Sequence, residues 1–217
     1  VGAKQAFDLT GADYTIRAGI RTEEGGTIFA QAPASGAYAE NSKSFFVSEG
    51  VLQFDVGWVG AVRSEAEVDD EQWHNVAMTF SHSSGKVRLY VDGEESGSGE
   101  LQPTDSVDRA QVLRIGFTTP DFPDFVRGFV GEMDELAFYQ RQLSEAEIQA
   151  FGSAAMPADR LVAHWTAFDH DDDLLVDATG HGHDAVLEDI DIEGLDEEDE
   201  EEQRGQRLRF DGETVRL

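Results

Sequence analysis

Apolar and polar residues alternate with a period of two along most of this chain, the pattern of strands with one buried face. In residues 13–22, Tyr14, Ile16, Ala18 and Ile20 share one face, and Thr15, Arg17 and Arg21 take the other. Residues 27–31 and 44–48 read as short strands separated by the turn-rich stretch APASGAYAENSK. Residues 51–59 set Val51, Gln53 and Asp55 against Leu52, Phe54 and Val56, with Gly50 supplying the turn before them. Residues 73–80 and 86–92 form the clearest hairpin, joined by the turn formers Ser83, Ser84 and Gly85. Residues 112–117 and 129–140 continue the series. One segment reads as helical: Ser144 and Glu147 have capping-box spacing, Leu143, Ile148 and Phe151 offer an apolar anchor, and Gly152 stops the turn. Many short strands with one short helix predict an all-β, two-sheet antiparallel sandwich rather than a doubly wound α/β fold.

The order of certain words is more specific than the strands themselves. WHNVA at 73–77, GKVRLYVDG at 85–93 and DELAFYQRQLSEAEI at 134–148 together resemble the laminin-G-like, concanavalin A-like jelly roll. The resemblance implies a jelly-roll sandwich with one short helix. It also implies binding of sugars or other surfaces, since only some branches of such folds are catalytic.

Met156, Pro157 and Ala158 mark a boundary, and the segment after it is out of family order. LVAHWTAFDHDDDLLVDATGHGHDAVL at 161–187 and LRFDGETVRL at 208–217 are similar to the opening strands of such a domain, yet here they come last. Residues 1–156 would then supply the main part of the sandwich and 157–217 its first strands. Three arrangements fit. The tail completes its own sandwich as a circular permutant, begins a second domain, or completes a neighbouring subunit and joins copies into an assembly. The first is preferred, because domain ends usually lie close together and tolerate permutation. An acidic loop at 188–207 interrupts the tail; its run at 196–202 repels itself and reads as a solvated insertion, with calcium collection as the alternative.

Charge narrows the partners. The 217 residues carry a net charge of −29, and lysine occurs only at Lys4, Lys43 and Lys86. Such a surface repels nucleic-acid phosphates and anionic lipid heads, so no nucleic-acid partner and no membrane insertion are expected. Solubility in high salt accounts for the charge, with multi-site cation binding as the sharper alternative. The chain has no cysteine, which excludes disulfides and thiol chemistry, and no apolar run approaches a membrane span.

Catalytic relatives of the fold carry three carboxylates in alternation on one strand. The matching residues here are Glu132 and Asp134, followed on that face by Leu136, while Glu135 is expected to point the other way. The third carboxylate is missing, so catalysis is not expected. The resemblance also implies a structural Ca2+ between the opening loop and a late strand, with Asp134 and Asp177 as the matching ligands. A turn or strand-edge hydrogen bond is the competing account of Asp134. His181 and His183 form a weak zinc spacing without a third ligand and read as turn residues; His74 and His164 read as strand residues. Trp58, between two glycines, and Tyr38, in a loop, are the candidate ligand-binding platforms, with sheet packing as the competing account of Trp58. Trp73 and Trp165 read as core.

Together these features predict a non-catalytic module that binds a glycan or a protein surface, stabilised by calcium. An extracellular or cell-surface location is expected, with the periplasm as a variant. A subunit that self-assembles through its C-terminal segment is the alternative, and a glycoside hydrolase or lyase the last choice.

Overall fold

A computed structural model describes residues 6–103, 111–151, 156–171, 174–187, 208–211 and 215–216. The acidic loop at 188–207 lies outside the described residues. Among the described residues, fourteen antiparallel strands form one hydrogen-bonded network. It folds into two facing layers because the long first strand, β1 (Tyr14–Pro33), serves both. Its first half pairs with β5 (His74–Phe80) on one side and β9 (Val130–Tyr139) on the other. Its second half pairs with β2 (Lys43–Ser48) and β8 (Gln111–Ile115). The front layer continues from β2 to β3 (Val51–Val56) and β4 (Gly60–Glu67). The back layer continues from β5 to β6 (Lys86–Val91) and β7 (Glu94–Glu100).

The alternation in β1 does what its pattern predicts: Tyr14, Ile16, Ala18 and Ile20 all enter the core between the layers. There Tyr14 meets Phe54 of the front layer and Phe80 and Phe138 of the back layer, with ring centroids 5.0–6.4 Å apart. The opposite face of β1 is also buried, because a helix covers it. Ser144 caps α2 (Glu145–Gln149) through the predicted box, and Leu143 and Ile148 pack on Ala77, Ala137 and Tyr139. Thr15 Oγ1 donates to the Arg141 carbonyl at 2.8 Å and accepts the Leu143 N–H at 2.9 Å, tying that cap to the sheet.

Four features differ from the sequence reading. Residues 51–59 are not one strand: β3 ends at Val56, and a turn returns the chain as β4. Strand β7 is polar and glycine-rich because the front layer passes close to it; a Cβ at Gly97 would stand 2.2 Å from the Arg63 carbonyl oxygen. A second helix, α1 (Asp124–Arg127), is present among the described residues. Trp73 is 36 % exposed rather than core, its ring lying over Gly19 on the outer side of the back layer.

The tail's strands lie against the same chain. β10 (Leu161–Asp171) pairs with β9, placing Trp165 beside Leu136. β11 (Leu174–Asp177), β12 (Ala185–Leu187) and β14 (Val215–Arg216) continue from it, and β14 reaches β8. β13 (Leu208–Asp211) pairs with the first part of β9. Trp165 is 1 % exposed, near-parallel to Phe7 at 6.1 Å, with its Nε1–H donating to the His183 carbonyl at 2.8 Å.

Candidate functional site

The outer face of the front layer carries a groove of about 490 Å³. Its floor follows from the alternation of β3: Leu52, Phe54 and Val56 are fully buried, so Gln53 and Asp55 face outward into the groove. The register brings Gln53 opposite Phe46 of β2 and Arg63 of β4. One wall is aromatic. Phe122, just before α1, packs on Phe46 at 5.5 Å and on Tyr38 at 4.7 Å. The two ligand-binding candidates from the sequence, Tyr38 and Trp58, line this same groove. They differ in kind: Tyr38 is half-buried in the wall, whereas Trp58 is 75 % exposed at the tip of the β3–β4 turn.

Backbone geometry fixes that turn. The Val59 N–H donates to the Val56 carbonyl at 2.8 Å, and Trp58 has φ 64°, the left-handed region that a bulky side chain rarely enters. Gly57 is locked to the neighbouring loop: its N–H donates to the Ser42 carbonyl at 2.8 Å, and its carbonyl accepts the Asn41 N–H at 3.0 Å. Only glycine fits there, because a Cβ would stand 2.3 Å from the Ala39 carbonyl oxygen. An aromatic side chain is therefore held in water, in a costly conformation, on a clamped turn.

Charge in the groove is mostly negative. Burial raises the Asp55 pKa from its ordinary value, offset in part by the neighbouring Tyr38 hydroxyl. Burial likewise raises the Tyr38 phenol well above its ordinary value, with the Asp55 charge adding to the effect. Glu49 and Asp121 stand at the edge, and Arg63 is ion-paired with Glu49.

The two carboxylates named for calcium lie on strands separated by β10. Asp134 accepts the Glu135 N–H at 2.8 Å. Asp177 is 3 % exposed, and its oxygens accept from the backbone N–H groups of His164, Thr179 and His183 and from the Thr179 hydroxyl. Burial works against its charge, but the donors from Thr179, His164 and His183 outweigh it and hold its pKa below the ordinary value. Among the described residues no group of three or more His, Cys, Asp or Glu side chains is placed to hold a metal ion. The donors to Asp177 pin the 177–183 turn to β10. Asp177→Ala is expected to cost about 2–3 kcal/mol by stranding those buried donors, a fall of about 5–10 °C in Tm. The fall should be equal in calcium and in EDTA when followed by calorimetry. A calcium-dependent stabilisation that vanishes in the variant would instead make Asp177 a metal ligand.

A bulge corrects the expected carboxylate pattern. Glu135 has φ 53°, and the β1–β9 register slips there, so Leu136 turns into the core with Met133 and Phe138. Glu135 thus shares the outer side with Glu132 and Asp134. It lies 2.9 Å from His164 Nε2 and 3.9 Å from Arg17, and the His164 hydrogen bond keeps its pKa below the ordinary value. Glu132 pairs with Arg21 at 3.2 Å. A general acid needs the opposite environment, one that raises its pKa. His181 stays in its turn, with Nδ1 3.0 Å from the Val162 carbonyl oxygen.

His74, a strand residue as expected, sits between Asp92 (2.8 Å) and Asp70 (3.1 Å). Phe46, Phe122, Gln53 and Arg63 were not singled out from the sequence as site residues. The parity of β3 pointed to Gln53 and Asp55, but nothing local announced that Phe122 would dock on Phe46 and Tyr38 from about eighty positions away.

Comparison with known proteins agrees on the fold. A family model described as the concanavalin A-like lectin/glucanases superfamily matches residues 3–149. Human neuronal pentraxin-1 is 27 % identical over 95 residues, 42 % of this chain and 22 % of the pentraxin, so the match spans about a fifth of that relative's length. A putative carbohydrate binding protein from Bacteroides ovatus superposes with a TM-score of 0.60 at 16 % identity, over 96 % of this chain and 54 % of the other. The CBM40 of the Ruminococcus gnavus IT-sialidase bound to α2,3 sialyllactose superposes with a TM-score of 0.54 at 14 % identity, over 65 % of this chain and 83 % of its own.

Proposed function

We propose that this chain, which belongs to the concanavalin A-like lectin/glucanase superfamily, is a non-catalytic recognition module that holds a glycan in the groove beside Trp58. The observation that carries the reading is the Trp58 ring, 75 % exposed and held at φ 64° on a clamped turn. Backbone strain of about 1–3 kcal/mol persists where the surroundings enforce it, and it concentrates at ligand-binding positions. An indole face beside Gln53 and Asp55 offers what a pyranose needs: a surface for its C–H face and polar groups for its hydroxyls. Fold neighbours that carry carbohydrate-binding names support the same reading. Glu132 and Glu135 of β9 lie on the other layer and are engaged by Arg21, Arg17 and His164, which supports binding rather than hydrolysis. The reading carries with it an extracellular or cell-surface location; no described helix is long and apolar enough to cross a membrane.

A glycan array read with the wild type and with Trp58→Gly tests the proposal. Loss of one stacking surface, worth about 0.5–1.5 kcal/mol, should weaken binding about two- to tenfold. Glycine relieves the left-handed strain, so Tm should stay level or rise slightly. Equal binding by both proteins would overturn the reading.

A further inference from the structure

We infer that the groove selects glycans without acidic groups and rejects their sialylated, sulfated and uronic-acid counterparts. This rests on the glycan reading of the same groove and adds the chemical class of its ligand.

The inference follows from the charges around the binding surface. Three carboxylates line the groove: Asp55 on the floor, and Glu49 and Asp121 at the edge. Arg63 is the one cation among the described lining residues, and Glu49 already engages it. A sugar carboxylate or sulfate needs a cation whose charge is not already matched, which Arg or Lys normally supplies through charge-assisted hydrogen bonds. Here it would meet a local excess of two negative charges, within a chain of net charge −29. Asp55 adds a second obstacle, because burial already disfavours its ionised form and a neighbouring anion would disfavour it further. Like charges about 7 Å apart at a partly screened surface repel strongly enough for about tenfold discrimination or more. Uncharged hexoses escape this, since their hydroxyls donate to Asp55 and pair with Gln53 while a ring face lies on Trp58. This preference would set the chain apart from the structural neighbour seen with sialyllactose.

The test is an array of matched pairs, each neutral oligosaccharide printed beside its sialylated or sulfated form, read at low and at high NaCl. The neutral member should bind about tenfold or more better at low salt, and the gap should narrow at 1 M NaCl, where screening acts over about 3 Å. Glu49→Gln releases Arg63 and should raise the ratio of acidic to neutral binding about two- to fivefold. Acidic members that bind as well as neutral ones at low salt would overturn the inference and leave the glycan reading standing. An array on which nothing binds, with Trp58→Gly indistinguishable from wild type, would overturn both.

Discussion

Trp165→Ala is expected to lower the stability of the whole sandwich by about 3–5 kcal/mol, the range for truncating a large aromatic in a packed core. Trp165 belongs to the tail, yet it is 1 % exposed, opposes Leu136 of β9 and lies against Phe7 near the start of the chain. Its indole N–H also satisfies the His183 carbonyl, so truncation leaves that buried acceptor without its donor. A loss of this size would move Tm by about 6–20 °C for a chain of this length. The shift should appear as one cooperative transition, followed both by far-ultraviolet circular dichroism and by the fluorescence of Trp58 and Trp73. The prediction separates the arrangements of the tail. A tail that begins a second domain would melt alone, and the fluorescence of Trp58 and Trp73 would keep its wild-type midpoint. A tail donated to a neighbouring copy would make the midpoint depend on protein concentration. We propose the intramolecular arrangement, supported by the pairing of β10 with β9 and of β14 with β8 within one chain.

The sequence speaks clearly where burial alternates and where a local chemical device marks a boundary. Tyr14, Ile16, Ala18 and Ile20 announced the core face of β1, and Ser144 with Glu147 announced the one predicted helix. Tyr38 and Trp58 stood out by loop placement and glycine neighbours, and both line one groove. What stayed hidden depends on contacts between distant segments. Strand β7 has no apolar rhythm because Gly97 and Gly99 make room for Arg63 and Val62 of the other layer. The bulge at Glu135 puts a glutamate, not a glycine, in the left-handed region, so no punctuation marks it and the parity of Leu136 is misread. The outer face of β1 looked solvated because Thr15 and Arg17 are polar; Arg141 and Leu143 beside α2 satisfy the first, and the Phe151 ring covers the second at 3.7 Å. The groove's aromatic wall needed Phe122 to meet Phe46 and Tyr38, a meeting set by tertiary packing alone.

Lys43→Met is expected to stabilise the protein by about 2 kcal/mol at pH 7 and to lose that advantage as the pH rises. Lys43 is 1 % exposed at the start of β2, and its ammonium donates to the Asn41 carbonyl at 2.9 Å. Burial holds its pKa at about 8 against an ordinary 10.5, and attraction to Asp8 offsets this only in part. A depression of that size is worth about 3 kcal/mol, from which about 1 is subtracted for the hydrogen bond that methionine cannot make. The sign follows from proton binding. Below pH 8 both states hold the proton and the folded state carries the full penalty. Between about 8 and 10.5 the unfolded chain keeps its proton while the folded one releases it, so wild-type stability rises across that window. Denaturant midpoints of both proteins at pH 7, 9 and 10.5 should therefore converge, whereas a constant difference would mean that Lys43 is fully compensated in the fold. The same ammonium gives the residue a use. Asn41 has φ 58° and its N–H holds the Gly57 carbonyl, so Lys43 braces the loop that clamps the Trp58 turn. The methionine variant should accordingly be more stable at pH 7 yet bind glycan more weakly, because the platform that the buried charge steadies is free to leave its strained conformation.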